Sequence, residues 1–386
     1  EIGYGINLLP LVGLSMDFYK DFKSEKFKPK ISPNEKISQK DIELMTKMHL
    51  AITIIQLKLE GQIIKKRKEF KMNDRLLLDK IDFDNYSINI EGVSYPLNTN
   101  FFPTVDKNNP YELNEEEKKS VEKLRSFFVK SEKLQKHINF LYSKGSLYLK
   151  YNSNLLFHGC IPMTNEGKFE NVKIDDKEYS GKRLMDKFDK VTREAFFSID
   201  PEVKTNSQDL VWYLWQGTNS PLFGKKKMTT FERYFIDDPE THKEQKNPFY
   251  NFRDDENTCK EILKDFDLPI EDSHIISGHI PVKVKLGESP IKANGKLFVI
   301  DGGFSKAYQK ETGIAGYTLI YNSYGLQLVS HESFGSTQEA IENEKDILSL
   351  KTVLENSAKR KTIADTDVGK ELTEQIEDLK KLVIAY

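Results

Sequence analysis

The spacing of hydrophobic residues predicts two long amphipathic helices in the first part of the chain. One begins behind a capping signal at Ser38 and Asp41 and carries apolar residues at intervals of three and four. Those apolar residues are Leu44, Met48, Ala51, Ile55, Leu59 and Ile63. The other begins at Asn114, has glutamates in its first turn and ends near Gly145. Between them, residues 83–100 alternate and contain turn residues, which predicts a small hairpin.

Beyond Gly145 the pattern changes to short apolar runs separated by turns, which is typical of a mixed α/β protein. A helix is predicted over residues 182–197, and the chain returns to charged helix from Ser336 onward. Strands are predicted at residues 147–151, 155–157, 275–276, 297–300, 317–321 and 326–329.

These patterns divide the chain into four predicted segments. Residues 1–35 are expected to be irregular, because apolar clusters alternate with lysine-rich spacers. Residues 36–145 form a helical insertion with a small hairpin, residues 146–335 an α/β core, and residues 336–386 a helical segment. The chain opens on Glu1 and an apolar stretch rather than on methionine, so residues 1–35 are expected to continue a missing N-terminal half.

Composition narrows the class of protein. The apolar fraction is 38%, the charged fraction is 31% and the net charge is −2, so no global charge favours nucleic acid. No run approaches the roughly 18 apolar residues of a membrane span, and no signal peptide is evident. The two cysteines, Cys160 and Cys259, form no Cys-x-x-Cys motif and are expected in a reducing cytoplasm.

Two histidines stand at the ends of apolar strands, each beside a glycine. His158 precedes Gly159, and His279 follows Gly278. A glycine at a strand end lets the backbone turn tightly while the neighbouring side chain faces a cleft. Because neutral imidazole binds divalent transition metals, the two predict a metal site built across a sheet, with a hydrogen-bonded structural histidine as the alternative. Neither strand end carries a carboxylate, so only part of such a site is expected.

Four polar residues are candidates for binding a phosphate, and all of them except Lys283 have a structural alternative. Arginine suits bidentate phosphate binding, but Arg233 could pair with Glu232 or Asp237 instead. The Asp301-Gly-Gly turn frees the backbone to approach a ligand closely, or it is simply a tight turn between strands. The candidates are Arg233, Lys283, Ser305 and Lys306.

Several long strings of residues resemble class III fructose-1,6-bisphosphatase, and the resemblance runs across essentially the whole chain. The Ser143-Lys-Gly-Ser segment that leads to His158-Gly-Cys-Ile-Pro162 is among them, as is Ser277-Gly-His-Ile-Pro-Val-Lys283. The others are residues 3–11, 74–81, 220–224, 227–235 and 301–306.

That family is grouped with the calcineurin-like metallophosphoesterases, whose fold is a four-layer α-β-β-α sandwich. The resemblance implies that residues 146–335 are the C-terminal half of this core. It also implies hydrolysis of fructose 1,6-bisphosphate to fructose 6-phosphate and phosphate, a step of gluconeogenesis. A site for two divalent cations, commonly Mn²⁺, is implied, with His158 and His279 as ligands of one metal. A homo-oligomer is left open.

The chain departs from the superfamily pattern in two places. Pro281 stands where many members have a second histidine. The Asp-x-His, Gly-Asp-x-x-Asp-Arg and Gly-Asn-His motifs are absent, so the general acid and the other ligands are expected upstream of residue 1. This chain alone is therefore expected to be nearly inactive. Two alternatives stay open: a non-catalytic regulatory or scaffold protein with this fold, and a metallophosphatase acting on another phosphomonoester.

Overall fold

The structure, a computed structural model, describes residues 3–31, 36–301, 312–314, 316–332, 336–344, 349–354 and 360–386. Within these ranges the protein is a mixed α/β structure, which confirms the predicted class. The α-helices are α1 (Leu9–Phe18), α2 (Gln39–Lys66), α3 (Glu115–Lys130), α4 (Glu132–Lys144), α5 (Gly181–Phe197), α6 (Pro201–Gln216), α7 (Thr230–Phe235), α8 (Phe249–Phe252), α9 (Glu256–Asp265), α10 (Thr337–Glu342) and α11 (Asp367–Ala385).

The strands of the described ranges form four sheets. The first sheet has the order β1-β2-β3, the second β4-β5-β8-β10-β9, the third β11-β12-β13, and β6 pairs with β7. The strands are β1 (Ile81–Asp82), β2 (Ser87–Ile90), β3 (Val93–Pro96), β4 (Tyr148–Tyr151), β5 (Asn154–Phe157), β6 (Val172–Ile174), β7 (Lys177–Tyr179), β8 (His274–Ser277), β9 (Ile291–Lys292), β10 (Leu297–Val299), β11 (Gly316–Asn322), β12 (Gly325–His331) and β13 (Ser349–Val353).

The long helix α2 begins where the sequence predicts it. The Ser38 hydroxyl accepts a hydrogen bond from the amide of Asp41 at 3.1 Å, which satisfies one of the free donors of the first turn. Leu50 and Ile54 on its apolar face are fully buried in a cluster that also contains residues of α7. The predicted hairpin is also present as β2 and β3, and β1 extends it to three strands.

The expectation that residues 1–35 are irregular was wrong, because α1 lies within them. Pro10 stands in its first turn, where the missing amide donor costs nothing. Leu11 and Leu14, three residues apart, are buried in the same cluster as α2. A short helix with only two buried apolar positions gives too weak a periodicity to be recognised among the surrounding lysines.

The second predicted helix is divided into α3 and α4 at Ser131, whose backbone is extended with ψ 98°. The start of α3 agrees with the sequence, because Asn114 and Glu117 form a reciprocal capping box. Lys58 of α2 donates a hydrogen bond to Glu117 of this capping box at 2.7 Å, and both side chains are fully buried. The ion pair ties the two helices together.

The second sheet places three strand ends at one edge. β5, β8 and β10 run parallel, with Leu155 opposite Ile275 and Ile275 opposite Leu297. β4 and β9 are antiparallel edge strands. Parallel strands end at the same edge, so the segments that follow β5, β8 and β10 lie side by side. Apolar residues of α5, α6 and α9 share the core cluster of this sheet.

Residues 336–386 are not wholly helical as predicted, because β13 pairs antiparallel with β12, with Val329 opposite Lys351. The side chains of β13 are all exposed. Its stability therefore comes from backbone hydrogen bonds to β12. Its apolar residues Leu350 and Val353 are three positions apart, which gives no hydrophobic alternation to detect. Over the described ranges, no helix combines the length and the apolar content that crossing a bilayer would demand.

Candidate metal centre

The two strand-end histidines meet at the edge where β5 and β8 end. The amide of Gly278 donates to the carbonyl of His158 at 3.0 Å, so the parallel register continues one step beyond the strands. The two imidazole rings are 5.1 Å apart between centroids and nearly perpendicular, at 82°. His158 Nε2 lies 3.2 Å from His279 Nδ1. The sheet topology thus brings together residues that are 121 positions apart in sequence.

The spacing of these two nitrogens fits a shared divalent cation. Two imidazole nitrogens that each lie about 2.1 Å from one cation, at angles of roughly 90–110°, stand about 3.0–3.4 Å apart. The observed separation of 3.2 Å falls within that interval.

The second nitrogen of His279 is held by the protein. Nε2 lies 2.9 Å from the carbonyl oxygen of Phe223. Because a carbonyl only accepts, Nε2 carries the proton and Nδ1 keeps its lone pair facing His158. A backbone carbonyl that fixes the tautomer in this way is the usual support behind a metal-binding imidazole.

The backbone on both sides of the pair is tightly constrained. A Cβ on Gly159 would collide with the carbonyl of Pro221, whose oxygen accepts a hydrogen bond from the Cys160 amide at 2.8 Å. His279 has φ 65°, in the left-handed region that residues other than glycine rarely adopt. Strain of this kind persists where the surrounding structure fixes it, often at functional sites.

The environment keeps His279 neutral. Burial lowers the pKa of its imidazole, and the nearby His158 and Lys225 lower it further, against the Phe223 hydrogen bond and the charge of Asp301. Since only the neutral imidazole has a free lone pair, these effects favour the form that binds metal.

Asp301 stands at the third strand end, behind β10. Its carbonyl accepts a hydrogen bond from the Val282 amide at 2.9 Å. A Cβ built on Gly278 would lie 3.5 Å from His158 Nδ1 and 3.7 Å from the Asp301 Cβ, so both residues flank the same glycine. The sequence interpretation treated Asp301 only as part of a turn. Its position after a strand parallel to β8 is the signal that could have placed it beside the histidines.

These residues do not form a complete metal site. Among the described residues, no group of three or more His, Cys, Asp and Glu side chains is arranged to hold an ion. Two neutral nitrogens alone bind a hard or borderline cation weakly. The pair therefore fits a metal but needs further ligands.

A cavity of about 660 Å³ opens beside the pair and reaches His158 and His279. Much of its wall is apolar. Arg193, also on the wall, is held by the Gly145 carbonyl at 2.8 Å and by Asp189 at 3.1 Å, so its guanidinium is already engaged. The apolar lining residues are Leu141, Leu147, Val211, Leu214, Trp215, Leu222, Phe223 and Met228. Lys225 also lines the cavity and is a basic side chain that a charged sugar phosphate would meet there.

Arg233 is not brought to the histidine pair by any contact in the described ranges. Its guanidinium donates to the Thr229 hydroxyl and to the His242 carbonyl, both at 3.0 Å. The structural pairs expected for it do not form either, because Glu232 binds Arg75 and Asp237 binds Lys26. Lys283 lies four residues after His279 in the sequence and follows the same turn. Ser305 and Lys306 lie outside the described residues.

The fold and the site define a mixed α/β protein with a paired-imidazole centre at the ends of parallel strands. The family model described as Firmicute fructose-1,6-bisphosphatase matches residues 1–386, and the chain belongs to that family. Relatives named class 3 fructose-1,6-bisphosphatase include one from Clostridium botulinum strain Kyoto, 60% identical, and one from Clostridium acetobutylicum, 57% identical. Each comparison covers 100% of this chain and 58% of the relative, so the chain spans little more than half their length. No solved structure matches it.

Proposed function

We propose that this chain takes part in the hydrolysis of fructose 1,6-bisphosphate to fructose 6-phosphate and phosphate. The observation that carries the proposal is the separation of 3.2 Å between His158 Nε2 and His279 Nδ1, which suits two ligands of one cation. Membership of the Firmicute fructose-1,6-bisphosphatase family supplies the substrate.

The residues of the pair have distinct tasks. A divalent cation bound there would stabilise the charge on phosphoryl oxygens and lower the pKa of a water molecule. His158 and His279 each offer one nitrogen to it, and the Phe223 carbonyl keeps the His279 ring oriented. Gly159 allows the segment after β5 to approach the Pro221 carbonyl closely. We propose Mn²⁺ as the metal, as the resemblance to class III fructose-1,6-bisphosphatase implies.

We also propose that the chain has the calcineurin-like sandwich fold and that it is divided into the four segments 1–35, 36–145, 146–335 and 336–386. The proposal also includes further metal ligands and the general acid outside the described residues, since two imidazoles are too few for a two-metal site. Full activity then requires those additional groups, and the chain alone has little. A cytoplasmic location is part of the proposal and is supported by Cys160 and Cys259, which are both buried free thiols.

Phosphate release tests the proposal. The chain alone and the complete coding sequence that contains it are purified, loaded with Mn²⁺ and given fructose 1,6-bisphosphate. We expect the product of the complete coding sequence to hydrolyse the bisphosphate. In His158→Ala and His279→Ala, the rate of hydrolysis should fall by about 100-fold or more, and the amount of bound metal should fall with it. His137→Ala, whose exposed ring binds only Tyr4 at 3.1 Å, is the control. Normal metal content and activity in both site variants would refute the assignment.

A further inference from the structure

Four basic side chains lie beside the histidine pair: Lys225, Lys246, Arg253 and Lys283, here called the basic cluster. Lys225 and Lys246 face each other across an isolated antiparallel bridge. Lys225 follows Phe223, the residue that holds His279, by two positions, and Lys283 follows His279 by four. Glu288 accepts from Arg253 at 3.1 Å and from the Lys283 amide at 3.0 Å, and Lys225 lines the same cavity as both histidines. The cluster and the histidines therefore share one region of the surface.

The carboxylates near the cluster do not neutralise it. Glu244 binds Lys225 at 2.6 Å. Glu288 is shared, because one of its oxygens accepts from Arg253 at 3.1 Å and lies 3.5 Å from Lys292. Within the described ranges, the ammonium groups of Lys246 and Lys283 have no ion pair and no hydrogen bond. The cluster thus retains positive charge that an anion could balance.

Arg253 points to a ligand most directly. Its side chain is only 5% exposed, and its Nη1 has no hydrogen-bond partner. The guanidinium lies 5.4 Å from the centre of the Tyr250 ring, and the Tyr250 hydroxyl is also buried without a partner. Burial raises the pKa of Tyr250, so its hydroxyl remains a donor. Leaving two such donors unsatisfied is costly, and phosphate oxygens accept hydrogen bonds from groups of both kinds.

We propose that the basic cluster binds a phosphate monoester, namely the phosphate of the hexose bisphosphate that is not hydrolysed. This inference rests on the proposed function, which places the other phosphate at the histidine pair. A substrate with phosphates at both ends of a hexose needs a second anion site close to the first. Guanidinium and ammonium groups are the side chains suited to that task.

The electrostatic state of Lys246 agrees with an anion site. Burial lowers the pKa of its ammonium group, and the neighbouring Arg253, Lys283 and Lys225 lower it further, partly offset by Glu288. Like charges assembled at this density repel one another, and a bound dianion would relieve that repulsion.

Calorimetry with the metal removed by EDTA tests the site apart from the histidines. The probes are fructose 6-phosphate, inorganic phosphate and unphosphorylated fructose. We expect the chain to bind fructose 6-phosphate, and Lys246→Met and Lys283→Met each to raise its Kd by about tenfold or more, because each removes a charge-assisted contact. Lys226→Met is the matched control, since Lys226 is an exposed lysine next to the cluster and outside it. Circular dichroism verifies that every variant is folded.

The outcomes separate this inference from the proposed function. Binding of fructose 6-phosphate well above that of inorganic phosphate supports the assignment. Equal binding of the two would mean a site for free phosphate and would overturn it, as would unchanged binding in both variants. If the product of the complete coding sequence hydrolyses the bisphosphate and its KM is unchanged in both variants, the inference fails while the function stands. If it hydrolyses none, yet fructose 6-phosphate binding depends on both lysines, the function fails and the phosphate site remains.

Discussion

Gly159 and the carbonyl of Pro221 approach so closely that a methyl group cannot fit between them. The Cys160 amide donates to the same carbonyl at 2.8 Å, so the segment after β5 is fastened to the loop before Phe223. That loop supplies the carbonyl that orients His279. A single backbone contact therefore couples the positions of both histidines.

Gly159→Ala is expected to disturb this coupling. The added methyl group meets backbone rather than a flexible side chain, so the free energy of unfolding should fall by about 1–3 kcal/mol. Displacement of His158 should also weaken metal binding. Gly13→Ala is the control, because Gly13 is an exposed helical residue with open space around it, and alanine there should stabilise by roughly 0.5–1 kcal/mol. Urea unfolding of both variants measures the difference; equal stability would contradict the contact.

The buried pair of Lys58 and Glu117 predicts a large loss of stability on breaking it. Lys58→Met leaves a fully buried carboxylate without its counter-ion, which should cost about 3–5 kcal/mol. Replacing both residues with apolar ones should recover much of that loss, since no buried charge then remains.

Chemical denaturation of the single and double variants measures these effects. Lys119→Met, which removes an exposed partner of Glu116, should leave the unfolding midpoint unchanged. A single variant at Lys58 as stable as this control would show that the pair is not buried in solution.

The lowered pKa of His279 predicts how acid affects the protein. The imidazole binds its proton more weakly in the folded chain than in the unfolded one, where the pKa is about 6.5. The unfolded state therefore gains protons first as the pH falls. The contribution of neutral His279 to the free energy of unfolding is fully present above about pH 6.5. It is lost as the pH falls below that value towards the pKa of the folded state.

The free energy of unfolding of the metal-free protein, measured between about pH 8 and about pH 5, tests this direction. The range spans the pKa of about 6.5 of a free histidine. His279→Gln should remove part of the decline in stability below neutral pH. A variant that declines as steeply as the parent chain would show that His279 is not responsible.

The cysteines should be inert in the native protein. Burial raises the pKa of Cys160, and burial with nearby carboxylates raises that of Cys259 to about 12, so neither forms a thiolate near neutral pH. Iodoacetamide followed by mass spectrometry should modify neither thiol until denaturant is added. Rapid alkylation of Cys160 in native protein would contradict its burial.

The sequence predicts those parts of the fold in which one local signal is strong. The Ser38 cap and the Asn114 capping box mark helix starts, and apolar runs ending in His158-Gly159 and Gly278-His279 mark strand ends. The pairing of the two histidines was predictable because parallel strands end at one edge of a sheet.

What the sequence conceals depends on tertiary contacts. Helix α1 has too few buried residues, and β13 exists through backbone bonds to β12. The gathering of Lys246 and Arg253 beside Lys283 also leaves no local mark, since their positions in sequence are far apart and charged residues are usually solvated. Arg233 was selected for its suitability for phosphate, and in the structure its guanidinium donates to Thr229 and to the His242 carbonyl, partners that its local sequence does not reveal.

Pulsed EPR of Mn²⁺ bound to the product of the complete coding sequence tests the central claim most directly. If His158 and His279 share one cation, as their separation of 3.2 Å predicts, nitrogen modulation from two imidazoles should appear. It should fall to one imidazole in either alanine variant and vanish in the double variant. Undiminished modulation in the double variant, or none in the parent protein, would contradict the account.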